Sequence, residues 1–126
     1  MDDYTRIDED RITIIRINRQ VSVDRLIEII RTLVVEGLGD GRVWNGGKYI
    51  DFSTSEIDRV VALAKTMPPP PLASAYVAEG IARYGVLRMY EALREQEGFR
   101  TRVFQDEAEA IAWVRSMADA EHPPDA

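Results

Sequence analysis

The sequence predicts an α/β fold with largely parallel strands, and three observations carry that prediction. Leu72 to Trp113 alternates an apolar run (LASAYVAE), an amphipathic segment (IARYGVLRMYEALREQEG), a short β-rich run (RTRVFQ) and a second amphipathic segment (DEAEAIAWVRS). Strand–helix–strand alternation of this kind builds parallel sheets with helices laid across them. Further upstream, Ser53-Thr54-Ser55-Glu56 has the pattern of a capping box between a short β run and a helical apolar period. At the start of the chain, two runs rich in β-formers flank Asp8-Glu9-Asp10, the pattern of a hairpin.

The elements follow in order. Tyr4 to Ile7 forms a short edge strand and Arg11 to Asn18 its partner, the second strongly β-branched through Ile12, Ile14, Ile15 and Ile17. Ser22 caps the first helix, and Asp24 sits in its first turn, where the helix dipole favours an anion. Leu26, Ile27, Ile30, Leu33 and Val34 give that helix one apolar face, and Gly37 ends it. Gly37 to Gly47, with five glycines and an Asn45-Gly46 turn signal, reads as a flexible connection. Lys48 to Phe52 is the next predicted strand.

The second helix follows Ser53, with Ile57, Val60, Val61 and Ala64 facing inward, and cannot continue through Pro68 to Pro71. Leu72 to Ala78 is apolar enough for an interior parallel strand. Ala82, Val86, Met89, Tyr90 and Leu93 stripe a third helix that closes at Gly98. Arg102 to Gln105 is the last strand, and Asp106 with Glu109 starts a fourth helix carrying Ile111, Trp113, Val114 and Met117. The sheet should therefore be mixed and mostly parallel, of about five strands with four helices. One domain over residues 1–117 is expected, with a disordered tail from Ala118 to Ala126.

Composition limits the chemistry. The chain has no cysteine, which excludes disulfides, thiolate metal sites and a cysteine nucleophile. Its one histidine, His122, sits in the Pro-rich tail, so neither a Ser-His-Asp triad nor a histidine metal cluster is expected on the folded body. A net charge of −6 and dispersed basic residues argue against nucleic acid as a partner. The acidic N-terminus lacks an apolar signal region and no apolar run approaches a membrane span, so a cytoplasmic location is the default expectation. No cofactor or metal is expected.

Several motifs have plain structural explanations. Gly41 to Tyr49 resembles a phosphate loop, but Gly47 stands where that loop needs lysine, and a strand rather than a helix should follow. Asp8, Glu9, Asp10, Glu107 and Glu109 occupy a turn and a helix start, solvated positions rather than a buried acid–base pair. Pro68 to Pro71 satisfies a PxxP pattern, best explained as a stiff connection. The start of the third helix is a better candidate. Gly80, Ile81 and Ala82 carry backbone amides without a side-chain cap, and Arg83 follows, a combination suited to a small anion. In the same helix Arg88 and Glu91 stand three residues apart and should pair on the surface.

The C-terminal half carries a resemblance. Tyr84-Gly85-Val86-Leu87-Arg88-Met89-Tyr90-Glu91, then Arg102-Val103-Phe104, then Glu109-Ala110-Ile111-Ala112-Trp113-Val114 closely resembles the signature of small bacterial STAS-like proteins. That group is akin to the anti-sigma-factor antagonists and is often described as STAS/SEC14-like. The likeness covers roughly residues 72–114. It implies a mixed, mostly parallel sheet with four helices gathered largely on one side, and no enzymatic activity for most members. It also implies a phosphorylation switch at a strand–helix junction, which places candidate hydroxyls at Ser53, Thr54 and Ser55. The following glycine of the antagonists is missing here, and Glu56 and Asp58 would oppose an added phosphate.

Two functional expectations result. The first is a non-enzymatic regulatory or protein-binding module, self-associating or meeting a protein partner through Trp44, Tyr49 or Tyr76 wherever these stay exposed. The second is a small-molecule protein, binding an anion or lipid or acting as an enzyme, that uses the carboxyl edge of the sheet near Asp51-Phe52 and Ala78-Glu79. An apolar pocket of roughly several hundred Å³ would favour the second, and a solid core the first.

Overall fold

The computed structural model describes residues 2–67, 70, 72–80, 85, 87, 88, 91 and 100–121. Five strands form one sheet in the order β1 (Tyr4–Glu9), β2 (Ile12–Ile17), β3 (Gly41–Gly47), β4 (Ala73–Ala78) and β5 (Thr101–Phe104). β1 and β2 are antiparallel and the remaining pairs are parallel. The helices with described bounds are α1 (Val23–Glu36), α2 (Thr54–Lys65) and α3 (Glu107–Glu121). The predicted helix between β4 and β5 lies largely outside the described residues, although Gly85, Leu87, Arg88 and Glu91 are helical.

The hairpin is tighter than its acidic cluster suggested. Asp8 and Glu9 belong to β1, and Glu9 pairs directly with Ile12 across a two-residue turn. Asp10 takes φ of 52°, a left-handed conformation that aspartate tolerates better than most residues. Ser22 then caps α1 by accepting from the Arg25 amide at 3.1 Å, and Gly37 at φ 98° ends the helix by donating to the Leu33 carbonyl. Ser53 and Glu56 form the predicted capping box in full. Asp106 caps α3 by accepting from the Glu109 amide.

The glycine-rich run is the main departure. Gly41 to Gly47 is a central strand rather than a connection, and the expected strand at Lys48 to Phe52 is a turn and irregular chain. Val43 in that strand is fully buried. A methyl group on Gly41 would lie 2.5 Å from Cγ1 of Val114, and one on Gly39 would lie 2.5 Å from the Arg11 carbonyl oxygen. These glycines admit a close neighbour; they do not loosen the chain. Two shorter corrections follow. Ile29, not the neighbouring Ile27 or Ile30, is the fully buried isoleucine of α1. α3 runs past Met117 to Glu121, with Ala118 packed against the core, so the expected tail at Ala118 to Glu121 is helical; residues 122–126 lie outside the described residues.

The β2–α1–β3 and β3–α2–β4 connections advance in the same direction, so crossovers of the usual right hand place α1 and α2 on one face, where the two helices touch. The opposite face receives α3. Ile12, Ile14, Val43, Ala73, Ala75 and Val77 pack there against Ala110 and Val114. The small side chains of Ala73, Ala75 and Ala110 let α3 lie close to β3, β4 and β5. Ile15, Ile17, Val21, Ile29 and Leu33 form the core on the α1 side. There the large side chains Ile15, Trp44 and Tyr76 hold the helices further from the sheet.

Candidate functional site

Register places a polar row across the whole sheet. Asp8 pairs with Thr13, Thr13 with Arg42, Arg42 with Ser74, and Ser74 with Thr101. Side chains paired in register share a face, so the row lies on the side covered by α1 and α2. Thr13, Ser74 and Thr101 are nearly fully buried there. The next row on the same face is Arg6, Ile15, Trp44, Tyr76 and Val103, apolar or aromatic everywhere except the edge.

The Asp8–Thr13 end of the polar row is internally satisfied. Thr13 donates to Asp8 at 2.7 Å and accepts from the Gly39 amide at 2.8 Å. Arg6 holds the Asp8 carboxylate through two hydrogen bonds. Arg6 and then Thr13 keep the Asp8 carboxyl below its ordinary pKa, against a smaller effect of burial. Arg42 differs. It is half-buried, its Nε donates to the Gly39 carbonyl at 3.3 Å, and among the described residues no carboxylate pairs with it. Burial pushes its guanidinium below the ordinary arginine pKa, with Tyr76 and Asp40 opposing the shift. Asp40 is engaged elsewhere, bound to Arg11 at 2.9 Å.

Above this row the layers fail to close. A partly open cavity of about 150 Å³ lies between the sheet and the helices. Ile15, Ile17, Trp44 and Tyr76 line it from the sheet, Leu26 and Ile30 from α1, and Ile57, Val60, Val61 and Ala64 from α2. Ile50 and Phe52 from the β3–α2 connection and Met67 and Pro70 from the connection to β4 add to the lining. Arg42, Ser74 and Thr101 provide polar groups on its wall. The cavity is smaller than the several hundred Å³ set as the mark of a ligand site, yet it is not a solid core. Cavities of about 150 Å³ lined by aliphatic and aromatic side chains accept a benzene-sized guest.

The predicted site residues are scattered around this space rather than gathered in it. Ser53, Thr54 and Ser55 are exposed at the start of α2; the Ser53 hydroxyl accepts from the Glu56 amide and lies 3.2 Å from that of Ser55. Gly80 is exposed with φ of 88°, while Ile81, Ala82 and Arg83 lie outside the described residues. Trp44 and Tyr76 are half-buried and face the cavity, and Tyr49 is half-buried beside Lys48. Val35 is the large hydrophobic left exposed among the described residues. Arg88 and Glu91 pair at 2.6 Å as expected, though with Glu91 buried and not on the surface. Glu91 also accepts from the Val103 amide at 2.7 Å.

Among the described residues the strand order gives the carboxyl edge no switch point. Ligands of open α/β sheets bind where the strand order reverses, and the order here never reverses. Asp51 and Phe52 follow an irregular connection instead of a strand. At that edge Glu107 closes the gap between α3 and the sheet, accepting from Arg16 and from Asn45. Among the described residues no group of acidic or histidine side chains is arranged to hold a metal, and no helix is long and apolar enough to cross a membrane. The cavity and its polar row were missed in the sequence because the row exists only in register. Ser74 and Tyr76, two apart in β4, were the available signal for a helix-facing side that is not aliphatic. No family model, curated protein or solved structure matches the chain.

Proposed function

We propose that the protein is a binding module that takes a small, mainly apolar molecule into the space between the sheet and the α1–α2 layer. The partly open cavity of about 150 Å³ is the observation that carries this reading. Apolar walls supply most of the affinity of such sites, and a few polar groups fix the orientation. Trp44 and Tyr76 fit that role better than a protein interface, since both turn towards the cavity. A STAS-like identity is part of the proposal, supported by the motifs of residues 84–114 and by an antiparallel hairpin feeding a sequential parallel array. Binding, not catalysis, is proposed because the chain has no cysteine and its one histidine lies in the terminal Pro-rich segment.

Amide NMR with a panel of benzene-sized molecules tests the reading. Shifts concentrated at Trp44, Ile50 and Ala64 are expected, and their loss in an Ala64→Phe variant that fills the space. No shift at tens of millimolar from any member of the panel would overturn it.

A further inference from the structure

We infer that the occupant is a small monocarboxylate, its charged end against Arg42 and its apolar body, about the size of a benzene ring, turned towards Trp44 and Ile50. This rests on the cavity reading and adds the chemistry of the head group. Arg42 is the charged residue of the cavity wall among the described residues. Its neighbours in register, Thr13 and Ser74, are uncharged. The nearby carboxylates are committed elsewhere: Asp8 to Arg6 and Thr13, and Asp40 to Arg11. A half-buried guanidinium held by one carbonyl is an expensive wall group unless an anion completes it.

The match in charge and size then selects among anions. One guanidinium neutralises one negative charge, and its planar fork suits a carboxylate through two parallel hydrogen bonds. A phosphate would carry close to two charges into a wall with one cation. Ser74 and Thr101, both nearly buried on the same wall, add hydroxyls that can donate to a carboxylate oxygen. The remaining described lining is aliphatic and aromatic and carries no second cation. The cavity volume of about 150 Å³ limits the body to a single ring or a short acyl chain.

Calorimetric and NMR titrations of the full chain with benzoate, benzamide and benzyl alcohol at pH 7 test the inference. Benzoate is expected to bind about tenfold or more tightly than either neutral analogue, the difference a charge-assisted hydrogen-bond pair supports. Arg42→Met keeps the aliphatic stem and should erase that preference while neutral analogues still bind; Arg42→Lys should retain part of it. Equal binding of all three probes by the unmodified protein would overturn the carboxylate assignment and leave the cavity reading standing. That comparison needs no variant, so it holds even if Arg42→Met folds poorly. Binding of benzoate with shifts away from Arg42 and Trp44 would also overturn the assignment. Failure of all three probes to bind would overturn both readings.

Discussion

Arg16 and Glu107, 91 residues apart in the chain, meet through two hydrogen bonds of 2.7 and 2.8 Å that tie the end of β2 to the first turn of α3. Asn45 from β3 adds a third donor at 3.1 Å. The carboxylate therefore joins three elements, and its position at a helix start adds a favourable dipole.

The first prediction concerns acid. Arg16 foremost, then Asn45, holds the Glu107 carboxyl below its ordinary pKa, against a contribution from burial. A depressed folded pKa gives stability that is present above the unfolded value of about 4.3 and is lost as pH falls through the folded value. Glu107→Gln should cost about 1 kcal/mol at pH 7, because the pair is only partly buried. The cost should shrink below about pH 4, where the natural carboxylate is itself being protonated. Urea denaturation at both pH values measures this; a cost that does not vary with pH would refute it.

Two glycines should respond to alanine with opposite signs. Gly41→Ala brings a methyl within 2.5 Å of Val114 Cγ1 and 3.2 Å of Leu72 Cδ2, both on fully buried side chains. We expect a loss of about 1–3 kcal/mol. Gly85 is helical, exposed and has open space around an added methyl. Gly85→Ala should gain about 0.5–1 kcal/mol. Thermal unfolding of both variants decides the pair.

The contrast between these glycines explains what the sequence could and could not reveal. Caps at Ser22, Ser53 and Asp106 were legible because donor and acceptor lie within three residues. The Arg88–Glu91 pair was legible for the same reason. Gly41 was not, because its reason for being glycine is Val114, on the final helix. Read locally, its segment looks like a breaker, so the strand was displaced onto Lys48 to Phe52. Arg42, Ser74 and Thr101 come from three strands and become neighbours only once β3, β4 and β5 are aligned, so the cavity wall was beyond reach. The strand order, which decides whether a sheet has a switch point, was likewise not legible from any one segment.

Ser53 provides a test of the α2 junction. Its hydroxyl is the cap acceptor for the Glu56 amide. Ser53→Ala should cost about 1 kcal/mol, whereas Ser53→Asp should be close to neutral, since aspartate caps equally well. Circular dichroism melts of the two variants give the comparison. An aspartate variant as unstable as the alanine one would mean that Glu56 and Asp58 repel a negative charge there, which would also count against Ser53 phosphorylation.

Glu91 guards one side of the sheet. Among the described residues β5 pairs only with β4, and the Val103 amide that would otherwise face outward donates to the buried Glu91 carboxylate. Glu91→Ala strands that donor and should cost about 1–3 kcal/mol, more than Arg88→Ala, whose side chain is half exposed. It should also bare a strand edge able to pair with another chain. Light scattering during storage at high concentration should rise for Glu91→Ala and not for Arg88→Ala.

The unequal closeness of the two helix layers makes the molecule mechanically lopsided. Squeezing a protein removes its internal voids first, because a solid contact has little volume left to give. On the α3 side, alanines and Gly41 leave helix and sheet in direct contact. On the other side, the space beneath α2 is the soft part. Under hydrostatic pressure the protein should yield as a hinge-backed book does, with α1 and α2 settling towards Trp44 and Tyr76 while α3 and its strands stay still.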